Sequence, residues 1–88
     1  MKHQFRGVEY TIRRGKTDTD ADGETEHSRR ETTISKDLDP HSLRFLETVL
    51  HEALHDCVPD LAEKAVGETA RDIALLLRRM GYRRRRKK

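Results

Sequence analysis

The residues best suited to chemistry lie in the second half of the chain, in the run His51-Glu52-Ala53-Leu54-His55. On a helix, four residues make just over one turn, so the imidazoles of His51 and His55 project from the same side and can share a metal ion. Taking Leu50 as zero, ideal geometry places these rings at about 100° and 140° and Glu52 near 200°. Glu52 is thereby placed to act as general base on a metal-bound water, because zinc lowers the pKa of such a water to about 7.

Two histidines are too few for a catalytic zinc, which usually has three protein ligands and one open position. Helix geometry favours Glu63 as the third, since it lies about 60° from Val66 at the edge of an inward-facing stripe. Glu68, about 160° from Val66, is the alternative third ligand. A competing interpretation makes Glu63 a capping-box partner of Asp60, with another residue or water completing the metal site. The remaining candidates are Asp60, Asp56, Glu47, His41 and His27.

Two amphipathic helices are predicted to position these residues. The first covers residues 40–57, with Asp39 as its N-cap and Pro40 in its first turn. The second begins at the capping pattern of Asp60–Glu63 and ends at Gly81. Each carries apolar side chains at three- and four-residue spacing, which is typical of a helix with one buried face.

The N-terminal part predicts a β-hairpin. In residues 8–13, apolar and polar side chains alternate, and residues 30–35 contain a second set of β-favouring types. Residues 15–29 contain no large apolar side chain, which predicts a mobile acidic loop. We expect the two strands to pair antiparallel across this loop and to pack on the helices, because two strands are marginally stable alone. The predicted fold is α+β, with one domain over residues 1–82 and a disordered basic tail over residues 83–88.

The charge of the chain is unevenly distributed. Of its 19 Lys and Arg residues, six lie in residues 83–88, so residues 1–82 hold 13 basic against 16 acidic side chains, a formal charge of −3. A basic run of this length predicts non-specific contact with a nucleic-acid backbone, or a solubilising tail without a partner. Tyr82 is its single aromatic neighbour, which gives base stacking little support. The six basic residues are Arg83, Arg84, Arg85, Arg86, Lys87 and Lys88.

Composition excludes several classes of protein. The single cysteine, Cys57, rules out an internal disulfide and a Cys-rich zinc finger. No apolar run approaches the roughly 18 residues that a spanning helix needs. The first residues carry no apolar signal core. We therefore expect a cytoplasmic protein without a membrane partner.

Residues 47–82, ETVLHEALHDCVPDLAEKAVGETARDIALLLRRMGY, resemble the core of short phage-encoded HExxH metallopeptidases and, more broadly, the minimal zincins called minigluzincins. The resemblance implies that His51 and His55 bind zinc, that Glu52 is base and proton shuttle, and that the protein acts in the host cytoplasm. It also implies that the strand before the active-site helix, residues 30–35, is a sheet edge that aligns an extended substrate. The chain lacks the larger peptidases' substrate-binding subdomain and an obvious transition-state His or Tyr.

Together these features predict a Zn²⁺-dependent metallopeptidase that hydrolyses peptide bonds in a peptide or protein substrate through a metal-activated water. The alternative is a small non-enzymatic protein that binds a metal, nucleic acid or a partner. In that case the two histidines would hold a structural metal or none.

Overall fold

The computed structural model describes residues 1–85 and has the α+β architecture that the sequence predicts. A four-stranded sheet precedes two helices in chain order. The first helix packs on the sheet, and the second packs on the first helix. The elements are β1 (Lys2–Phe5), β2 (Val8–Gly15), β3 (Gly23–Glu26), a short 3-10 helix (His27–Arg29), β4 (Glu31–Ser35), α1 (Leu43–Cys57) and α2 (Glu63–Arg79).

The strand order across the sheet is β1-β2-β4-β3. Strands β1 and β2 form an antiparallel hairpin whose two turn residues, Arg6 and Gly7, both have positive φ, at 52° and 82°. Two consecutive positive φ angles are typical of the type I′ turn, which matches the twist of the paired strands. Strand β3 pairs antiparallel with β4 and lies at one edge of the sheet.

The predicted antiparallel pairing of the second and fourth strands is wrong. Strands β2 and β4 are parallel, with Ile12 opposite Thr32. The reason is β3, which lies inside residues 15–29, where the sequence predicts only a loop. The chain reverses once after β2 and again after β3, so β4 runs in the direction of β2. The sequence Gly-Glu-Thr-Glu gives no strand signal, and pairing with β4 holds this segment in place.

The helices begin later than the sequence predicts. The N-cap of α1 is Ser42, whose hydroxyl accepts the Phe45 amide, whereas the Asp39 carboxylate accepts the His41 amide in the preceding turn. The capping box of Asp60–Glu63 is wrong as well, because α2 has Ala62 at its N-cap and no side-chain cap. Glu63 is therefore free of the capping role.

The end of α2 at Gly81 is as predicted. Gly81 has φ 90°, and its amide donates to the Arg78 carbonyl while the Tyr82 amide donates to the Leu77 carbonyl. These two bonds form a Schellman motif, which satisfies the last carbonyls of a helix. Residues 83–85 are exposed and belong to no helix or strand, and the rest of the predicted basic run, residues 86–88, lies outside the described residues.

Part of the interface between α1 and the sheet is polar, and another part is apolar, with Val49 and Ala53 on its helix side. Thr48, Glu52 and Asp56 recur every four residues on α1, and all three are buried against the strands. The Asp56 carboxylate accepts a 2.7 Å hydrogen bond from the Thr32 hydroxyl of β4. The interface between α1 and α2 is apolar. The helices pack closely there, because the fully buried side chains of α2 are small. The buried apolar residues of the described chain are Tyr10, Ile34, Leu38, Val66, Ala70 and Ala74.

No helix within residues 1–85 combines the length and the apolar character needed to cross a membrane.

Replacing Thr32 with valine tests the polar interface. The variant keeps the shape of the side chain but removes the donor to Asp56, so we expect the free energy of unfolding to fall by about 1–3 kcal/mol. Thr33→Val is the matched control, since Thr33 is 4% exposed, against 2% for Thr32, and takes no part in this hydrogen bond. Urea unfolding measures both, and equal losses for the two variants would contradict the role of the hydroxyl.

Candidate metal centre

Three donor side chains converge where α1 meets the start of α2. His51 and His55 lie on successive turns of α1, and their ring centres are 4.9 Å apart. Glu63, the first residue of α2, places one carboxylate oxygen 2.8 Å from Nε2 of His51 and the other 2.9 Å from Nε2 of His55. One ligand atom from each residue lies within 4.8 Å of the other two. The turn at Pro59 brings the two helices together at this point.

The donor set has the composition of a catalytic zinc site. Two imidazole nitrogens and one carboxylate oxygen would leave a fourth tetrahedral position for water or substrate. The contact between Glu63 and His51 has hydrogen-bond geometry, and the contact between Glu63 and His55 lies within ion-pair distance. A metal ion would take the place of any proton on these nitrogens, because histidine binds metals in its neutral form. The Glu63 side chain is 71% exposed, so the ion pair itself contributes little stability.

The other predicted candidates for a third ligand lie outside this group. Glu68 is exposed on α2 and belongs to no metal-ligand cluster within residues 1–85. Glu47 and His27 line the same cleft without joining the three donors. The structure therefore brings Glu63, and not Glu68, to the two histidines, and metal binding itself stays a prediction.

Glu52 lies beside the donors but outside their group. Its side chain points between α1 and the edge strand, and the residue is 7% exposed. One oxygen, Oε1, accepts a 3.0 Å hydrogen bond from the Thr25 hydroxyl of β3. Burial raises the pKa of the Glu52 carboxyl, and the Thr25 hydrogen bond and nearby His51 and His55 lower it in part.

A chain of hydrogen bonds links Glu52 to a second buried carboxyl. The Thr25 hydroxyl is 3.0 Å from the Thr32 hydroxyl, which is 2.7 Å from Oδ2 of Asp56. Two hydroxyl protons cannot fill three contacts, so with both carboxyls ionised the contact between the hydroxyl oxygens lacks a proton. A proton on either carboxyl, that of Glu52 or that of Asp56, would complete all three. Burial likewise raises the pKa of Asp56, and the hydrogen bond from Thr32 opposes the effect in part.

Glycine is required where β3 passes over Glu52. A Cβ atom at Gly23 would lie 2.9 Å from Cγ of Glu52 and 2.9 Å from Cγ2 of Thr48. Both distances are too short for real carbon contacts, so a larger residue would move the strand or the carboxylate. Gly23 therefore lets the backbone of β3 lie directly against the Glu52 side chain.

The open edge of β3 borders a cleft of about 560 Å³ that contains the metal donors and Glu52. The Ser35 amide donates to the Asp22 carbonyl in the register of the β3–β4 pair. Hydrogen-bonded pairs alternate along antiparallel strands, so the backbone groups of Gly23 and Thr25 point to the open edge. The prediction that residues 30–35 form the substrate-aligning edge is wrong, because β4 lies between β2 and β3.

His27, which lines the cleft, contacts Tyr10, and sequence analysis did not identify the two as a pair. Nδ1 of His27 lies 3.2 Å from the hydroxyl of Tyr10, which is 5% exposed. The two residues are 17 positions apart, and only the pairing of the strands brings them together. Alternation in β2 marks Tyr10 as inward-facing, but no local signal identifies its partner.

Removing the Glu63 carboxylate tests the donor set. We expect Glu63→Ala to weaken Zn²⁺ binding by more than the roughly 10–100-fold that loss of an outer-shell partner costs, since a direct ligand would be lost. Glu68→Ala, five residues further along α2, removes the same charge and should bind as the wild type does. Competition with a chromophoric chelator measures both affinities. Similar affinities for wild type and Glu63→Ala would exclude Glu63 as a ligand.

The pH dependence of stability tests the buried carboxyls. A raised pKa means that the folded state holds the proton more tightly than the unfolded state. Stability therefore falls as pH rises from the unfolded-state pKa of the carboxyl to its folded-state pKa. In excess chelator, the melting temperature of the wild type should drop as pH rises above about 4, the ordinary pKa of a carboxyl. Asp56→Asn should reduce this slope, leaving the part due to Glu52. Asp60→Asn, at an exposed position, should leave it unchanged.

Comparison with protein-family models, with curated proteins and with solved structures finds no match to this chain at any of the three levels.

Proposed function

We propose that the protein is a zinc-dependent peptidase that uses Glu52 as its general base. The observation that carries the proposal is the separation of roles within one cleft. Three donors, His51, His55 and Glu63, converge on one another, while the Glu52 carboxyl lies beside them and belongs to a different hydrogen-bond network. A structural metal site needs no such additional carboxyl.

His51, His55 and Glu63 would hold the ion, with a fourth position open to solvent or substrate. When bound, zinc would lower the pKa of a water and polarise the carbonyl of the bond to be broken. The identity of the ion is inferred from the donor set. Two imidazoles and one carboxylate suit zinc, whereas calcium and magnesium prefer sites made of oxygen ligands alone.

Glu52 would accept the proton of the attacking water and deliver it to the leaving amine. Burial suits it to this task, because a raised pKa brings a carboxyl nearer to the working pH. The Thr25 hydroxyl restrains Oε1, and Gly23 restricts the path of the side chain from above. The base is thus held by groups that do not react.

The open edge of β3 would align the substrate. An extended peptide can add to this edge as a further strand, pairing with the backbone groups of Gly23 and Thr25. The peptide would then pass through the cleft that holds the donors and Glu52. Affinity from a four-residue edge is modest, which favours unfolded or extended protein segments as substrates over folded proteins.

Replacing Glu52 with glutamine separates the enzyme from the non-enzymatic alternative. The variant keeps the size of the side chain but cannot accept the water's proton, so hydrolysis of unfolded protein substrates should fall by 10²-fold or more, on the order expected for a general base. Zinc content after purification without chelator should stay at the wild-type level. Cleavage by the variant at the wild-type rate would show that Glu52 is not the base.

A second variant, Gly23→Ala, keeps every donor and the base but crowds Glu52. It should bind zinc as the wild type does and hydrolyse substrate more slowly. If the zinc-loaded wild type leaves a broad panel of unfolded and nucleic-acid-bound proteins intact, the metal has a structural role and the non-enzymatic alternative holds.

A further inference from the structure

A second cavity, of about 220 Å³, lies between the start of α1 and the end of α2. It shares no lining residue with the metal cleft. Among the described residues its lining contains no carboxylate, so its charge is positive. The side chains that give it chemical character are His41, Phe45, Arg78, Tyr82, Arg83 and Arg84.

Two buried nitrogen atoms of this lining lack a hydrogen-bond partner. They are Nδ1 of His41 and Nε of Arg78, and within residues 1–85 only one other buried side-chain atom, Oδ1 of Asp56, is in this state. The Arg78 nitrogen is necessarily a donor, because a guanidinium does not deprotonate in proteins. A buried donor without an acceptor is costly, so a rotation of the Arg78 side chain that brought this nitrogen to an anionic oxygen of a ligand would satisfy it.

The arginines beside the cavity are available for a ligand. Arg78, Arg83 and Arg84 take part in no ion pair within residues 1–85, whereas Arg44 and Arg71 on the same helices are paired with carboxylates. Arginine binds phosphate through a planar fork of donors. The N-terminus of α1, which carries the partial positive charge of the helix dipole, adds to the attraction for an anion near His41.

An aromatic ring is exposed at the same place. Tyr82 is 62% exposed although it lines the cavity. The Schellman motif at Gly81 holds the backbone of Tyr82 in place. Phe45, on the opposite wall, carries the Arg14 guanidinium 4.8 Å from its ring centre. Tyr82 is therefore the ring with a face open to a partner.

We propose that this cavity binds one nucleotide of a single-stranded nucleic acid, with the base against Tyr82 and the phosphate on Arg78, Arg83 and Arg84. A flat apolar surface beside a cluster of arginines is the combination that single-strand binding uses. A duplex would satisfy the arginines but would keep its bases stacked away from Tyr82. The cavity is smaller than the roughly 300 Å³ of typical ligand pockets, which suits one base rather than a longer apolar chain.

The test measures binding of a fluorescently labelled oligothymidylate to the full chain by anisotropy. Tyr82→Ala should weaken binding roughly fivefold or more, the lower end of what one stacked base contributes, whereas Tyr82→Phe, which keeps the ring, should bind as the wild type does. Arg78→Gln should weaken binding and reduce the dependence of log K on log salt by about 0.7. Arg71→Gln is the matched control, because it removes the same charge from α2 outside the cavity.

Further outcomes would overturn the proposal. Equal losses for Arg71→Gln and Arg78→Gln would mean that net charge alone attracts the strand. An unchanged affinity of Tyr82→Ala would assign binding to the basic tail without the cavity. Stronger competition by duplex DNA, anionic vesicles or an acidic peptide than by the single strand would assign the cavity to that ligand. Because Tyr82 is largely exposed, its variants should keep the wild-type melting temperature, which makes a folding defect easy to recognise.

Discussion

The Glu52 carboxyl occupies a place where a globular protein of this size would ordinarily put a leucine, between α1 and the strand at the sheet edge. Within residues 1–85 few apolar side chains are fully buried, and hydroxyls and carboxyls form part of the contact of α1 with the sheet beside the apolar Val49 and Ala53. Such an interface is stabilised by pairing its polar groups, and within residues 1–85 Oδ1 of Asp56 is its one buried side-chain oxygen left without a partner. The positions of Thr25, Thr32 and Gly23 follow from this requirement, and so does the orientation of β3.

The polar interface also limits how far stability can be improved without loss of function. Apolar replacements at Glu52 or Asp56 would relieve the cost of burying carboxyls, which is a usual route to a more stable protein. At Glu52 the same change would remove the proposed base. A small domain with a thin core thus buries an unfavourable carboxyl at the position that the proposed chemistry requires.

Local features could be predicted from the sequence, whereas features that depend on distant pairing could not. Spacing along one helix sufficed to place His51 and His55 together, and Gly81 marked the end of α2. The N-cap at Ser42 was missed because Asp39, three residues earlier, is an equally good capping residue. Strand β3 was missed because its stability comes from contacts with β4 and α1, which are distant in sequence, and not from a local run of apolar side chains. Without β3, the chain reversals were miscounted and the direction of β4 came out wrong.

The metal donors are closer together in sequence than Glu52 is to its partner Thr25, and this difference has a consequence for folding. His51 and Glu63 are twelve residues apart, so the helical hairpin alone brings the donors together. Thr25 and Glu52 are 27 apart, and their contact waits for the sheet to dock. Short loops close sooner than long ones, so in a refolding chain the proposed metal donors would come together before the surroundings of the proposed base. An ion bound at that stage would offset part of the entropy cost of ordering the two helices before they dock on the sheet.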